Sequence, residues 1–493
     1  MKANLMFKNM DFNIKAEPCF GKDTLTADLE LSHIISTMAQ GDSTIKEACS
    51  TALLCPLHTM REIRYRQDIL QDCIQNPQIV RRLYDLTIET MKRKRASWSW
   101  VSVSSYLSSN FSSAVNLLKI YTEMLLELRN TAGEHRQSFK STGFTNFINM
   151  LHKELDDAYF SEISSHLKEL KDYDGIVVSA RLGNYNQGIN YVLRRKQRKR
   201  FLRRWYFAPS FTIAPRDESG SSDLAKRRDR AINESTNALA QSADHIESFF
   251  VMLQGELAFY VGCLNLYDKL KALNMPVCIP ELLPGDSENR SYDTLYDVSL
   301  VLTKNDAVVG NEISVKEKKL FIITGANQGG KSTCLRSIGQ AQLMMQCGMF
   351  VGAVSFQAPI RYGIFTHFKK EEDMAMTSGK LDEELVRMNE IADHLIQGSL
   401  MLFNESFAAT NEREGSEICR QITQALIDNG IEVISVTHLY TYAAAFVDTS
   451  GVQYLRAQRL ENGERTFKVI PGMPLQTAFG ADLYKSIFGK EAV

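Results

Sequence analysis

The residues with the clearest chemical potential lie in the stretch FIITGANQGGKSTCLRSIGQ, residues 321–340. A short apolar run ends in a glycine-rich turn, and a Lys-Ser-Thr triplet then opens an amphipathic segment. Gly325, Gly330, Lys331 and Ser332 fill the pattern G-x-x-x-x-G-K-[ST], which is typical of a phosphate-binding P-loop. A chance match in a glycine-rich turn is the alternative, but the flanking residues indicate a strand before and a helix after. We therefore expect a nucleotide site that uses ATP and Mg²⁺.

The turn and the start of the helix supply the expected nucleotide-binding residues. Their backbone N–H groups would surround the phosphates, and the positive N-terminal end of the helix would attract them. Lys331 would contact the β- and γ-phosphates, and the Ser332 hydroxyl would ligate Mg²⁺. The expected set is Gly325, Asn327, Gly329, Gly330, Lys331, Ser332 and Thr333.

A second candidate element is SLMLFNESFAATNEREG, residues 399–415, in which an apolar run ends at Asn404 and Glu405. In a working NTPase the first of these positions is usually an Asp that holds Mg²⁺, and the second is a Glu that positions or activates water. The amide of Asn404 adds no charge, so we expect Mg²⁺ to be held less tightly. Glu405 remains the candidate base. A buried strand followed by an acid at a helix start is the structural alternative.

A third candidate is His438, just past the apolar run in IEVISVTHLY. It could donate to a γ-phosphate or sense its loss. A lone His at a strand end is usually structural, but its place after the other two elements favours a functional role. The candidate catalytic residues are therefore Glu405, His438 and Lys331, and the candidate metal ligands are Ser332 and Asn404.

Elements of two kinds must position these residues. Between about 296 and 485 the apolar runs LFIIT, SLMLF and IEVISVT alternate with helical segments, which predicts a mainly parallel α/β domain. Residues 25–135 are predicted to be helical. There Met60, Ile63, Leu70 and Ile74 approximate one helical stripe, and Pro77 stands where that helix should end.

The residues between these two parts have a different periodicity. Residues 174–213 alternate β-branched or aromatic residues with polar ones, which predicts a small strand-rich insertion closed by the loop PRDESGSSD at 215–223. Helical texture returns from about 224 to 275, and NMPVCIPELLPGDSEN at 274–289 is predicted to be a linker.

Composition places few limits on partners. The 493 residues carry a formal net charge of −1, and the nine cysteines form no C-x-x-C pair, which is typical of reduced thiols in a cytosolic protein. No secretory signal is recognised at the N-terminus. The most apolar window, residues 249–267, carries Gln254 and Glu256 and is predicted to be a buried helix rather than a membrane span. We expect a cytoplasmic protein with no membrane partner.

The sharpest local charge lies in LRRKQRKRFLRRW, residues 193–205, within the strand-rich insertion. Such a cluster predicts sequence-independent DNA binding through phosphates. The alternative is a solvated basic hairpin, or a face paired with acidic residues. A second stretch, KRKRASWSW at 92–100, could stack on unpaired bases, although packing is the commoner role of such aromatics. The candidate DNA-binding residues are Arg194, Arg195, Lys196, Arg198, Lys199, Arg200, Arg203 and Arg204.

At these motifs the sequence resembles the MutS family of DNA mismatch-repair ATPases. TGANQGGKST at 324–333 is similar to the family's TGPNMGGKST, and His438 falls on the histidine of its A-T-H motif. The resemblance covers about residues 30–135 and 240–485. Its other carriers are RYGIFTHF at 361–368, NESFAATNEREG at 404–415, PGMPLQTAFGADLYK at 471–485, CPLHTMREIRYRQDILQDCIQNP at 55–77, residues 245–270 and PVCIPEL at 276–282.

The resemblance implies an α plus α/β multidomain architecture that ends in an ABC-type P-loop ATPase domain. The implied domains are an N-terminal segment (1–25), a helical core/lever (26–173), a strand-rich, clamp-like basic insertion (174–223), lever return helices with a linker (224–295) and the ATPase domain (296–493). It also implies a homodimer formed through the ATPase domains.

Several departures from the family pattern shape the expected function. Core segments begin by about residue 30, so we expect no N-terminal mismatch-recognition domain with its Phe-x-Glu wedge. SGKLDEELVRM at 378–388 occupies the place of the family's S-G-R-S-T-F-M signature, and its Ser378 and Gly379 match that signature. The acidic residues Asp382, Glu383 and Glu384 would bring negative charge near another chain's γ-phosphate. Neither a helix-turn-helix for dimerisation nor a nuclease-type or Smr tail is recognised before Val493.

The expected function is a slow DNA-dependent ATPase that acts on distorted or branched DNA in repair or recombination. The main alternative is a nucleotide-sensing, DNA-binding scaffold whose ATPase site hydrolyses poorly, which Asn404 and the acidic signature segment favour. A P-loop kinase or an unrelated metabolic ATPase fits the loop but not the long helical arms.

Overall fold

A computed structural model describes residues 1–98, 107–171, 177–194, 211–370, 379–460 and 464–476. Two compact units interleave along the chain. The smaller unit comprises Met1–Ala3, Gln78–Lys140 and Phe144–Gln254, and the larger comprises Asn4–Pro77, Ser141–Gly143 and the chain from Gly255 onward. The boundary at Pro77 falls inside the range 26–173 that the family resemblance assigns to one helical domain.

Helices dominate the described residues. In chain order they are α1 (Lys22–Asp28), α2 (Leu31–Ala39), α3 (Ser43–Leu54), α4 (Met60–Gln75), α5 (Pro77–Trp98), α6 (Leu107–Glu134), α7 (Thr142–Glu154), α8 (Asp157–Lys171), α9 (Glu218–Ala272), α10 (Val298–Lys304), α11 (Lys331–Gln346), α12 (Lys380–Ala392), α13 (Glu412–Asp428) and α14 (Tyr440–Ala444). Short 3₁₀ turns lie at Arg136–Ser138 and Asn184–Asn186.

Three sheets are formed by the strands of the described residues. These strands are β1 (Val177–Leu182), β2 (Gly188–Arg194), β3 (Glu281–Leu283), β4 (Arg290–Leu295), β5 (Asn311–Val315), β6 (Leu320–Thr324), β7 (Ser355–Pro359), β8 (Ile364–Phe368), β9 (Leu400–Asn404), β10 (Glu432–Val436), β11 (Val452–Arg459) and β12 (Arg465–Pro471).

The predicted helical texture of the first part of the chain is confirmed. Helix α4 begins after Thr59, whose hydroxyl accepts a hydrogen bond from the Glu62 N–H at 3.3 Å, and it buries Ile63 and Leu70. Pro77 does follow the end of α4, as predicted. It also opens α5, a position where the missing N–H of proline leaves no helix hydrogen bond unmade.

The larger sheet lies in the larger unit and has the order β12-β11-β6-β10-β9-β8. Strands β11, β6, β10, β9 and β8 run parallel, and β12 pairs antiparallel with β11. All five residues of β6 and all five of β10 are buried, which explains why apolar residues predominate in both strands. The mainly parallel arrangement predicted from the runs LFIIT, SLMLF and IEVISVT is confirmed, because these runs form β6, β9 and β10.

A second sheet, with the order β3-β7-β4-β5, was not predicted. Its first strand lies inside the segment 274–289, so the prediction that this whole segment is a linker is wrong. Glu281–Leu283 pairs parallel with β7, and the Ile360 N–H donates to the Leu283 carbonyl at 3.2 Å. The proline- and glycine-rich composition indicates turns, and a three-residue strand between those turns leaves almost no periodic signal.

Helix α11 is buried along almost its whole length, between the larger sheet and the N-terminal helices. Gln346 and Leu57 are joined by reciprocal hydrogen bonds, from the Leu57 N–H at 2.9 Å and from Gln346 Nε2 at 3.1 Å. Arg66 of α4 is also buried, and its Nη1 donates to the Cys347 carbonyl at 3.3 Å. The helix after the glycine-rich turn is therefore fixed to elements that precede it by about 270 residues or more.

The smaller unit contains the antiparallel hairpin of β1 and β2 and the first part of α9. Helix α9 begins at Glu218, so the loop prediction for 218–223 is wrong. The side chain of Asp217 accepts a hydrogen bond from the Gly220 N–H at 2.8 Å and supplies the N-terminal cap that the surrounding serines and glycine conceal.

Helix α9 is long and apolar enough to cross a membrane by length and composition alone. Its most apolar window is 83% buried within the protein, and Phe250, Leu253 and Leu257 are fully buried. This burial favours the predicted core helix.

Candidate nucleotide site

The predicted chemical residues meet at the carboxyl edge of the larger sheet. The glycine-rich loop joins β6 to α11, Glu405 follows β9, and His438 lies two residues after β10. Because parallel strands end at the same edge, residues far apart in sequence become neighbours there. They enclose a cavity of about 490 Å³. Its lining is Asn327, Gln328, Gly329, Gly330, Lys331, Ser332, Thr333, Lys369, Glu405 and His438.

Two glycines of the loop adopt backbone conformations that L side chains avoid. Gly325 has a φ of 113° and Gly330 has a φ of 91°. A Cβ at Gly330 would also come within 2.9 Å of the Phe467 carbonyl oxygen on β12. Glycine is therefore required for a loop that turns this tightly while the β11–β12 hairpin packs against it, as the motif predicted.

Lys331 is the first residue of α11 and is buried. Its Nζ donates to the carbonyl oxygens of Gly325 and Ala326 at 2.9 and 3.1 Å, so the ammonium group is held over the loop. Burial holds the pKa of Lys331 below its ordinary value. The Glu405 carboxylate opposes this shift, and the Arg465 guanidinium adds to it. An anion entering the cavity would replace the two carbonyl oxygens with a stronger electrostatic partner.

Ser332 and Asn404, the predicted metal ligands, lie in direct contact. The Ser332 hydroxyl donates to Asn404 Oδ1 at 2.9 Å, which connects the start of α11 to the end of β9. Two neutral oxygens on neighbouring elements fit a hard divalent cation such as Mg²⁺, particularly one that keeps several waters and phosphate ligands. The pair contributes no negative charge of its own.

Glu405 is held by its backbone in the left-handed region, with a φ of 53°. Its N–H donates to the Val436 carbonyl at 2.9 Å, which fixes the turn after β9 against β10. The carboxylate oxygen Oε2 lies 3.9 Å from His438 Nδ1, too far for a direct hydrogen bond. Both side chains are partly exposed and line the cavity, so a small group could bind between them.

Two cationic neighbours of the loop were missed by sequence reasoning. Lys369 follows β8 and lines the cavity, and Arg465 of β12 donates through Nη1 to Gln328 Oε1 at 3.0 Å. A signal for Lys369 was present, since it directly follows the aromatic and β-branched run IFTHF and therefore stands at a strand end. Nothing in the local sequence indicates that Arg465 approaches the loop.

Behind the site, His367 connects the turn after β9 to helix α12. Burial lowers the pKa of His367 to about 3, so the imidazole is neutral at pH 7. Its Nε2–H donates to the Glu384 carbonyl at 3.0 Å, and its Nδ1 lies 2.8 Å from the Ser406 hydroxyl, which donates to the His367 carbonyl at 2.5 Å. Ser406 is the residue after Glu405, so α12 and the candidate base share a short hydrogen-bonded path.

The acidic residues of the signature-like segment have two different environments. Asp382 and Glu383 are exposed in the first turn of α12, whereas Glu384 is buried and burial raises the pKa of its carboxyl group. The expectation that Glu384 presents charge to another chain is wrong, because its side chain points into its own chain's interior. Gly379 precedes α12, and Ser378 lies outside the described residues.

Of the eight candidate DNA-binding residues, only Arg194 lies among the described residues. It ends β2 and its Nε donates to the Ser179 hydroxyl at 2.9 Å. The other seven lie within 195–204, outside the described residues. In the second basic stretch, Arg93 pairs with Glu89 at 2.7 Å and Lys94 pairs with Glu247, which favours a structural role there. The Trp98 side chain and Trp100 also fall outside the described part.

Two protein-family models match the chain. The model for the MutS2 N-terminal domain matches residues 58–273, and the model for MutS domain V matches residues 321–476. Together they span about three quarters of the sequence and include the complete cavity lining.

The chain belongs to the MutS family.

Curated relatives of this MutS-family chain carry two names. A DNA mismatch repair protein MutS from Thermotoga neapolitana is 33% identical over 181 residues, which cover 35% of this chain and 22% of the relative. An Endonuclease MutS2 from a Geobacillus species is 26% identical over 250 residues, 50% of this chain and 30% of the relative. An Endonuclease MutS2 from Thermus thermophilus is 27% identical over 168 residues, 34% of this chain and 23% of the relative. The matched region thus spans less than a third of each of these relatives.

The family assignment from sequence motifs is confirmed, and the match reaches further than the motifs did. The MutS2 N-terminal model extends through residues 136–239, which the motif resemblance did not cover. It therefore includes the hairpin of β1 and β2 and the basic stretch in one MutS-type region.

Proposed function

We propose that this MutS-family chain binds ATP with Mg²⁺ at the cavity and hydrolyses it slowly. The observation that carries the proposal is the convergence of the loop, Glu405 and His438 from three separate strand ends on one cavity. Loop N–H groups and the N-terminal end of α11 would hold the phosphates, with Lys331 as the cation. The whole nucleotide-binding set predicted from sequence lies in this loop and helix start, and all but Gly325 line the cavity.

In the proposed reaction each protein group has one task. Ser332 and Asn404 would hold Mg²⁺, which when bound neutralises charge on the β- and γ-phosphate oxygens. Glu405 would orient the attacking water and accept its proton. His438, whose Nδ1 lies 3.9 Å from Glu405 Oε2, would donate a hydrogen bond to a γ-phosphate oxygen. The neutral Ser332–Asn404 pair would hold the metal weakly, which is why we propose slow turnover.

The proposal extends to DNA through the basic stretch at 194–204. Eight cations in eleven positions would neutralise phosphates without reading bases, which suits distorted or branched duplexes whose sequence varies. The family membership supports this role and a homodimer formed through the ATPase regions. A cytoplasmic location is part of the proposal as well.

The test is Mg²⁺-dependent ATP turnover by the purified chain, with and without branched DNA, beside Glu405→Gln as the control. We expect turnover that DNA stimulates and that falls by about 100-fold or more in Glu405→Gln, because the base would be lost. Turnover that equals the control, in a protein that still binds ATP, would contradict the hydrolysis part of the proposal.

The second candidate function is a nucleotide-sensing, DNA-binding scaffold. The neutral contact between Ser332 and Asn404 favours it, because the weaker the hold on Mg²⁺, the slower the hydrolysis. ATP would then raise the melting temperature without being consumed. A thermal-shift titration beside the turnover assay separates the two functions.

A further inference from the structure

Lys369 is a cation of the cavity to which the proposed reaction gives no task. It is the first residue after β8, and its side chain lines the cavity together with the loop, Glu405 and His438. Among the described residues, no carboxylate forms an ion pair with its ammonium group at 4.0 Å or less. An ammonium group that lines the cavity and has no salt-bridge partner is available for an anion.

The peptide group that precedes Lys369 is fixed on both of its edges. The Lys369 N–H donates to the Asn404 carbonyl at 2.9 Å, and Phe368 is paired with Asn404 in the β8–β9 register. Arg387 of α12 donates through Nη2 to the Phe368 carbonyl at 2.7 Å. Because this peptide group is bonded at both its N–H and its carbonyl, the Lys369 side chain starts from a fixed point beside Glu405, at the end of β8, which lies three strands from the loop's own strand.

Charge in the cavity favours a second cation. Lys331 and the loop N–H groups approach from β6 and α11, whereas Asn404 contributes no negative charge to hold a divalent metal. A triphosphate bound here would keep more uncompensated charge at the end near Glu405 and His438 than at the loop end. Lys369 is the lysine of the cavity lining that lies at that end.

We propose that Lys369 is a second phosphate-binding residue, which contacts the γ-phosphate and supplies part of the charge compensation otherwise supplied by Mg²⁺. This inference rests on the proposed ATP binding. It predicts that the chain distinguishes ATP from ADP through Lys369 and retains a large part of its ATP affinity when Mg²⁺ is removed.

A structural role for Lys369 is the competing explanation. Its charge is one of several that oppose the effect of burial on the Glu384 carboxyl group, with Arg387 and Lys380 acting in the same direction. A lysine needed mainly for Glu384 would affect folding stability and leave nucleotide selectivity unchanged. The two roles therefore predict different results: a structural role changes the melting temperature, and a phosphate-binding role changes the selectivity for ATP over ADP.

The experiment measures ATP and ADP affinity by calorimetry, with excess Mg²⁺ and with EDTA, together with the melting temperature. The variants are Lys369→Ala, Lys369→Gln, the matched neighbour control Lys370→Ala and the site control Lys331→Ala. We expect Lys369→Ala and Lys369→Gln to weaken ATP binding about tenfold, as loss of one charged hydrogen bond does, and ADP binding less than about twofold. The loss should be larger in EDTA. Lys370, which does not line the cavity, should leave both affinities unchanged.

The outcomes distinguish failure of the Lys369 proposal from failure of the proposed ATP binding. If the unaltered chain binds no ATP, the proposed function itself fails. If it binds ATP, and Lys331→Ala abolishes binding while both Lys369 variants bind ATP normally, only the role of Lys369 is overturned. Equal losses for ATP and ADP would also overturn the γ-phosphate contact. A lower melting temperature with unchanged selectivity would assign Lys369 to Glu384 instead.

Discussion

The six-stranded sheet and the β1–β2 hairpin place their polar residues by different means. In the sheet, β6 and β10 are wholly buried, and the candidate chemical groups stand where the parallel strands end. In the hairpin, Tyr185 is fully exposed, Leu182 is 77% exposed, and the register shifts between Ser179 and Arg181. The sheet can therefore hold side chains at defined separations, whereas the hairpin offers charge without a rigid framework. The proposed function accordingly assigns ATP chemistry to the first region and sequence-independent attraction of DNA to the basic stretch beside the second.

The largest expected difference between the two regions is in stability. Glu432 begins β10 and is buried, and its carboxylate accepts hydrogen bonds from Arg290 at 2.8 and 3.1 Å and from Arg361 at 2.7 Å. Glu432→Gln should lower the free energy of unfolding by about 3–5 kcal/mol, because it leaves buried arginines without their counter-charge. Urea denaturation measures this change. The matched hairpin variant Leu182→Ser should change the free energy of unfolding by less than about 0.5 kcal/mol. Equal effects in the two variants would contradict the difference between the sheet and the hairpin.

The next expected effect concerns pH and the larger unit. Burial raises the pKa of Glu256 to about 7. Backbone N–H groups such as that of Leu5, 2.6 Å from Oε2, oppose this shift, and the nearby Asp11 carboxylate adds to it. A carboxyl group whose pKa is raised on folding stabilises the protein below its unfolded pKa, and this contribution is lost as the pH rises towards 7. The unaltered chain should lose up to about 3 kcal/mol from this group between pH 4.5 and 8.

Glu256→Gln should remove that dependence, since the amide stays neutral while its oxygen can still accept from Leu5. Melting temperatures of both proteins across this pH range provide the test, and only the difference between their pH profiles is interpreted. Parallel profiles would show that Glu256 does not titrate as its burial requires.

The third prediction tests whether the basic stretch acts through charge alone. A triple variant, Arg198→Ala with Lys199→Ala and Arg200→Ala, should weaken DNA binding about tenfold and lower the slope of log affinity against log salt by about 3. Fluorescence anisotropy between roughly 50 and 200 mM salt measures both. The matched control is Lys226→Ala with Arg227→Ala and Arg228→Ala, three exposed cations of α9. A loss of the same size in the control would assign DNA binding to net charge rather than to this stretch.

The smallest expected effect sharpens the account of the sheet edge. Asn404→Asp should tighten Mg²⁺ binding in the presence of ATP by several-fold, because a carboxylate would face the Ser332 hydroxyl in place of a neutral amide. Calorimetric Mg²⁺ titration of the ATP-saturated protein measures the change. Asn429→Asp, on the exposed C-terminal end of α13, adds the same charge elsewhere and should have no effect. Unchanged Mg²⁺ affinity in Asn404→Asp would mean that this position does not contact the metal.

Three strands of the larger sheet, β6, β9 and β10, could be predicted from the sequence because they are buried on both faces. Unbroken apolar runs such as LFIIT are visible without any knowledge of their neighbours, and the glycine pattern at 325–330 marks the loop. The three-residue strand β3 and the start of α9 at Glu218 were not predicted. In both, a few polar, glycine or proline residues are ordered by partners that periodicity does not reveal, β7 for the first and the Asp217 cap for the second.

The family motifs, the glycine-rich loop, the three candidate elements of the site and the charge of the basic stretch were predictable without a structure, because each is encoded in contiguous residues. Tertiary structure decided which of these residues meet. Strand order β6-β10-β9-β8 brings Lys369 to the cavity, and the packing of α12 against β8 accompanies the burial of Glu384. Packing of β12 against the loop brings Arg465 to Gln328 across 137 positions of sequence. Such proximity depends on long-range strand pairing, and no local pattern of residue types carries that information.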